Sequence, residues 1–133
     1  MDTTTDRSAI EKLISFYSEA FNAKDISQTV ALYAQDGILM PADAPLAKGH
    51  EQIKSTFEFL LKTFNINIEF VVDEVVISGD YAFARTNSKV RTTVLANGET
   101  ISLANKELFV LHQMDSQWKI SHYIFNNTRK SQI

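Results

Sequence analysis

Along the first half of the chain, apolar positions repeat with the period of a helix. After Asp6, a residue type that caps helices well, Ile10, Leu13, Ile14, Tyr17 and Phe21 share one helical face, which predicts an amphipathic helix broken at Asn22–Asp25. Asp25 followed by Gln28 reads as a capping-box-like start, and it opens a short second helix carrying Ile26, Val30 and Tyr33. Asp36 and Gly37 close that helix. Ile38-Leu39-Met40 then reads as a short strand, stopped by the Pro41–Pro45 loop because proline supplies no N–H to a ladder. Past Lys48-Gly49-His50, the positions Ile53, Phe57, Leu60, Leu61 and Phe64 define a third amphipathic helix over 50–64.

The second half changes period. Turn signals at Ser78-Gly79-Asp80, Ala96-Asn97-Gly98 and Asp115-Ser116 divide it into strands over 66–77, 81–95, 99–113 and 117–127. These exceed the usual length of about five or six residues, so they should twist strongly and carry bulges. Helices first and an antiparallel meander afterwards make an α+β fold with the helices on one face of the sheet.

Side-chain alternation poses three questions within that sheet. In the last strand Ser121, Tyr123, Phe125 and Asn127 share one face, while Trp118, Ile120, His122, Ile124 and Asn126 share the other; a one-residue bulge would exchange the two. Lys106 and Glu107 are adjacent, so one of them points inward or into an interface. Arg85 is placed in the same way. For these charges the alternatives are an ion pair across neighbouring strands and an anchor for an anionic ligand, at Lys106 or Arg85.

Composition narrows the class. The chain has 133 residues, 44% of them hydrophobic, which suits one compact domain with a core of its own. It has no cysteine, which excludes disulfides, thiolate metal sites and a thiol nucleophile. A formal charge of −3, with no basic run, argues against nucleic acid as a partner. The apolar runs are too short to span a membrane, and Met1–Asp6 has neither the basic flank nor the apolar stretch of a signal peptide, so a cytoplasmic protein is expected. His50, His112 and His122 lack metal-ligand spacing, and no glycine-rich loop is present to hold a dinucleotide. No metal or cofactor is therefore expected. Nine Phe, four Tyr and one Trp make the prospective core strongly aromatic.

Four segments bear on the family: Phe16-Tyr-Ser-Glu-Ala-Phe-Asn-Ala-Lys-Asp25, Val30-Ala-Leu-Tyr-Ala-Gln-Asp-Gly37, Lys48-Gly-His-Glu-Gln-Ile53 and Trp118-Lys-Ile-Ser-His122. In this order they resemble the nuclear transport factor 2-like superfamily, in its SnoaL-like and ketosteroid-isomerase-like branch, and most of all the small SgcJ/EcaC-type proteins. The resemblance covers nearly the whole chain, as one domain over 1–133. It implies a cystatin-like, cone-shaped α+β roll with three N-terminal helices on a strongly curved, mainly antiparallel sheet. A pocket between helices and sheet and a homodimer through the outer sheet face are implied with it, the Trp118 face of the last strand serving the dimer. The superfamily hosts isomerases, dehydratases, cyclases and non-catalytic binding modules, so the fold does not name a reaction.

Ketosteroid isomerases combine an Asp base with an oxyanion hole made of a Tyr and a protonated Asp. Tyr17 matches the Tyr. The base position falls on Met40-Pro41, and the protonated acid falls in Leu108–Leu111, with no carboxylate nearer than Glu107. The resemblance therefore argues against steroid isomerisation. It leaves Tyr17 as a candidate catalytic hydroxyl and Asp43 as a substitute base. It also implies a pocket for a small hydrophobic ligand built by Tyr17, Tyr33, Met40, Phe57, Tyr123 and Phe125, with Asn127 on its wall; Lys106, the anchor offered by strand alternation, is the further polar partner.

Overall fold

The computed structural model describes residues 3–128; Met1, Asp2 and residues 129–133 lie outside it. The elements are α1 (Thr3–Asn22), α2 (Ile26–Ala31), β1 (Tyr33–Met40), β2 (Ala47–Lys48), α3 (Gly49–Thr63), β3 (Phe64–Ser78), β4 (Tyr81–Val94), β5 (Thr100–Met114) and β6 (Gln117–Thr128). The strands form one six-stranded sheet in the order β2-β1-β6-β5-β4-β3. β1 lies parallel to β6, and every other pairing is antiparallel. The sheet curls, so that α1 reaches both the β3 edge and β6. The result is the expected α+β roll, with three helices on a mainly antiparallel sheet. No helix among the described residues is long and apolar enough to cross a membrane.

Tyr33 corrects the reading of the second helix. α2 ends at Ala31, and Tyr33 begins a strand instead of completing a helical face. The cause is tertiary: the Ile120 N–H donates to the Leu32 carbonyl at 2.9 Å, and Tyr33 pairs with Ile120, so β6 captures the chain at that point. Asp36 and Gly37, read as a helix stop, lie inside β1 where its register against β6 shifts. The strand passes very close to its neighbours there. A Cβ on Gly37 would stand 2.9 Å from the Ala34 carbonyl oxygen and 3.0 Å from that of Ile120, and only glycine escapes the clash.

The long strands carry the bulges that their length implied. One lies between Val72 and Glu74 of β3, and the other opposes Val110 and Leu111 of β5 to His122 and Ile120 of β6, leaving Ser121 unpaired. The second bulge settles the faces of β6. Before it, Trp118 and Ile120 point inward, and after it so do Tyr123 and Phe125, because the extra residue resets the alternation. Trp118, expected at a dimer face, is instead buried. Its indole N–H reaches Asp6 Oδ1 at 3.3 Å, which ties the start of α1 to β6. His122 stays exposed on the outer face.

The core packs Ile10, Ile14 and Tyr17 of α1 and Ile53 and Phe57 of α3 against Phe109, Leu111, Ile120 and Tyr123. At the far end of α1 the Asn22 amide accepts from the Ile68 N–H at 2.8 Å and donates to the Ile68 carbonyl at 2.9 Å. That pair fixes α1 to the edge strand, leaving the middle of the helix to roof the inner sheet face. At its start α3 is held by His50, whose Nε2 lies 2.8 Å from the Tyr33 carbonyl oxygen.

The charged strand residues also find their sides. Glu107 points inward, 3% exposed, and Lys106 is exposed on the outer face. Lys106 thus stands across the sheet from the pocket that it was expected to serve, because alternation gave the inner place to its neighbour. Arg85 is exposed and pairs with Glu74 at 3.1 Å and Asp73 at 3.6 Å on the adjacent strand. Of the two readings for Arg85, the cross-strand ion pair is the one realised.

Candidate functional site

Between α1, α3, the Pro41–Ala44 loop and the inner sheet face lies a cavity of about 490 Å³. Sites for small ligands commonly span roughly 300–1,000 Å³. Its wall includes the rings of Tyr17, Phe21, Phe57, Phe64, Tyr123 and Phe125, and its polar side chains are Asp43, Thr56, Thr92, Asn105 and Asn127. A groove of about 660 Å³ between α1 and β3 is larger. Charged Glu11, Glu69, Lys89 and Arg91 line that groove, and it lacks the convergent rings.

Tyr17 is the hub of the aromatic set. Its ring centre lies 5.5 Å from Tyr123, 6.0 Å from Tyr33, and 6.1 Å from both Phe70 and Phe109, all edge-on. Phe109 and Tyr123 stack at 4.2 Å. Edge-to-face packing lets the positive rim of one ring meet the negative face of another, which holds Tyr17 in one orientation. Its hydroxyl lies 2.7 Å from that of Tyr33, inside the core.

Burial raises the pKa of Tyr17, with the Tyr33 hydrogen bond pulling back, and it lifts Tyr33 and Tyr123 well above the ordinary tyrosine range. All three stay protonated at neutral pH. Two protonated hydroxyls sharing one hydrogen bond leave one O–H free to donate elsewhere.

Behind this wall Glu107 is held by two hydroxyls. Thr86 Oγ1 donates to its Oε1 at 2.6 Å and Ser88 Oγ to its Oε2 at 2.5 Å. Burial raises its pKa, and the two hydroxyls hold it partly down. Glu107 is not on the cavity wall. Its strand neighbour Asn105 is, 6% exposed, with an Oδ1 that has no hydrogen-bond partner among the described residues.

The residues expected from sequence divide by position. Tyr17, Phe57, Tyr123, Phe125, Asn127 and Asp43 all stand on the cavity wall. Tyr33 sits behind Tyr17 and touches it through the hydroxyl. Met40 does not reach the wall, which passes through Leu39 and Pro41, because neighbouring positions of a strand face opposite ways. Lys106 is outside. Asp43 occupies an exposed turn with φ 59°, among the described residues the one carboxylate on the wall. Asn105 was missed. Its signal was its alternation with Leu103, Glu107 and Phe109, which marks it as inward once any one of them is placed.

Comparison with known proteins gives one family and one fold. The model of the SnoaL-like domain matches residues 14–120. No curated protein matches the sequence. Among solved structures, a ketosteroid isomerase-like protein from Erwinia carotovora atroseptica SCRI1043 is 29% identical with a TM-score of 0.87, covering 92% of this chain and 96% of its own. A candidate scytalone dehydratase from Novosphingobium aromaticivorans DSM 12444 is 19% identical with a TM-score of 0.83, covering 96% and 87%. A protein with a cystatin-like fold from Caulobacter vibrioides is 18% identical with a TM-score of 0.81, covering 92% and 89%. The last two share the fold alone.

Proposed function

Because the chain belongs to the SnoaL-like domain family, we propose that it binds a small hydrophobic metabolite, aromatic or polycyclic, in the cavity beneath α1 and α3. The observation that carries this reading is the open, ring-lined cavity of about 490 Å³, since rings that merely filled a core would interdigitate without leaving such a space. Flat apolar ligands suit walls made of ring faces and edges.

If the bound molecule is transformed, the chemistry is cofactor-free proton transfer: isomerisation, dehydration or cyclisation. Tyr17 is the donor. When the Tyr33 hydroxyl donates to Tyr17, the Tyr17 proton is left for another acceptor, and a ligand oxygen brought against that buried hydroxyl would take it, which would stabilise developing negative charge. Asp43 is the candidate base, as the wall's carboxylate, and it would have to fold inward to act. Its exposure favours a second reading, in which the domain binds without catalysis. Neither reading is a ketosteroid isomerase, because Met40 and Pro41 stand at the base position.

The outer sheet face offers a homodimer surface, with Leu108 38% exposed and Phe83, Val110 and Ile124 half-buried beside it. A cysteine-free chain suits the reducing cytoplasm, where we place it.

Native mass spectrometry of freshly purified protein tests the binding reading. It should show a co-purified species of small-molecule mass that leaves on denaturation. A bare chain, with no gain in thermal stability across a panel of fused-ring compounds, would count against it.

A further inference from the structure

Among the described residues, one fully buried side-chain oxygen on the cavity wall has no hydrogen-bond partner. Asn105 lies on the inner face of β5, paired with Ser88 of β4 on one side and Asn127 of β6 on the other. It is 6% exposed, it lines the cavity, and its buried Oδ1 has no partner among the described residues. The hydroxyls nearest in register cannot supply one. Thr86 and Ser88 both direct their protons to Glu107. A buried amide oxygen without a donor is costly, and native structures rarely keep one unless something else supplies the proton.

We propose that Asn105 is the residue that reads the ligand, and that it accepts a hydrogen bond from a hydroxyl carried on an otherwise apolar aromatic or fused-ring molecule. This rests on the cavity being a binding site, as argued above. The terminal torsion of asparagine is broad and two-fold, so the amide can turn its oxygen to the cavity that the residue lines. The same turn moves its NH₂ into the buried place that the oxygen leaves; Ser88 is its partner in register and Glu107 lies two residues along the same strand face, and both carry acceptor oxygens.

The position selects the chemistry. With the NH₂ kept on the side of Ser88 and Glu107, a ligand carbonyl or ether would set oxygen against oxygen. A ligand hydroxyl placed instead against Ile66, Ile68 or Leu103 of the same cavity would be buried without a partner. Asn127, opposite Asn105 on β6, is exposed and lines the same cavity, a second polar group beside the hydroxyl end of the ligand. One end of the ligand is therefore a phenol or alcohol, and it is oriented toward the β5–β6 wall.

The test compares matched probes, 2-naphthol and 2-methoxynaphthalene, titrated into the wild-type protein and into Asn105→Leu, which keeps the size and removes both polar atoms. The wild type should bind 2-naphthol more tightly by at least about tenfold. Asn105→Leu should lose that preference while still binding 2-methoxynaphthalene. Equal affinities in the wild type would overturn the role of Asn105 and leave the cavity standing, and so would a preference that survives in Asn105→Leu. If neither probe binds the wild type at millimolar concentration, the binding reading falls and this inference with it. Equal wild-type affinities would overturn the inference even if the variant folds poorly.

Discussion

The Tyr17–Tyr33 hydroxyl pair makes a quantitative demand on stability. Both rings are buried, at 3% and 1% exposure, and the hydroxyls are 2.7 Å apart. Tyr17→Phe leaves every ring contact in place and strands the Tyr33 hydroxyl, and Tyr33→Phe does the reverse. Stranding a buried hydroxyl costs about 1–3 kcal/mol, whereas removing both partners of a buried hydrogen bond can be nearly neutral. Each single variant should therefore lose about 1–2 kcal/mol and the double variant less than about 1 kcal/mol, a coupling of about 2 kcal/mol. Urea unfolding of the four proteins measures this cycle. Single costs that add to within about 0.5 kcal/mol would refute the reasoning, because they would mean that the two hydroxyls satisfy their needs independently.

Two further outcomes follow from the sheet. Burial raises the Glu107 pKa, so the carboxyl holds its proton more tightly in the folded chain than in the unfolded one, and the stability this contributes is present at acid pH and lost as pH rises through the folded value. Glu107→Gln does not titrate. Its urea midpoint relative to wild type should therefore rise as pH climbs above the ordinary glutamate value of about 4.3, and level off once the pH has passed the raised folded value; a gap that stays constant with pH would exclude a raised Glu107 pKa. Gly37→Ala puts a methyl 2.9 Å from one backbone carbonyl and 3.0 Å from another, neither able to swing away as a side chain could. Overpacking of that kind costs roughly 1–3 kcal/mol, and a variant as stable as wild type by thermal unfolding would show that β1 does not pass β6 so closely.

Much of this architecture was legible from periodicity alone. α1 and α3 announce themselves because Ile10, Ile14 and Tyr17, and Ile53 and Phe57, must lie on one buried face. The turns at Gly79, Gly98 and Asp115-Ser116 are legible because these residues adopt positive φ, which glycine and aspartate tolerate better than most. Tyr33 was not legible in this way. Its helical spacing from Val30 is real, and it was overridden by backbone pairing with Ile120, a residue far along the chain.

The bulge at Ser121 leaves no mark in composition, yet it moves Trp118 from the outer face to the inner one. Which of Lys106 and Glu107 points inward likewise depends on the register of β5, which only its neighbours set. The candidate site was half visible. Its rings follow from helix and strand faces, whereas Asn105 matters through the absence of a partner, which a sequence does not show.

Backbone amide chemical-shift mapping with 2-naphthol tests most directly whether the cavity is a binding site. The largest shifts should fall on Tyr17, Phe57, Asn105, Tyr123 and Phe125, five wall residues from α1, α3, β5 and β6. Shifts centred instead on the outer face around Leu108 and Ile124, or no shifts at saturating probe, would contradict the account.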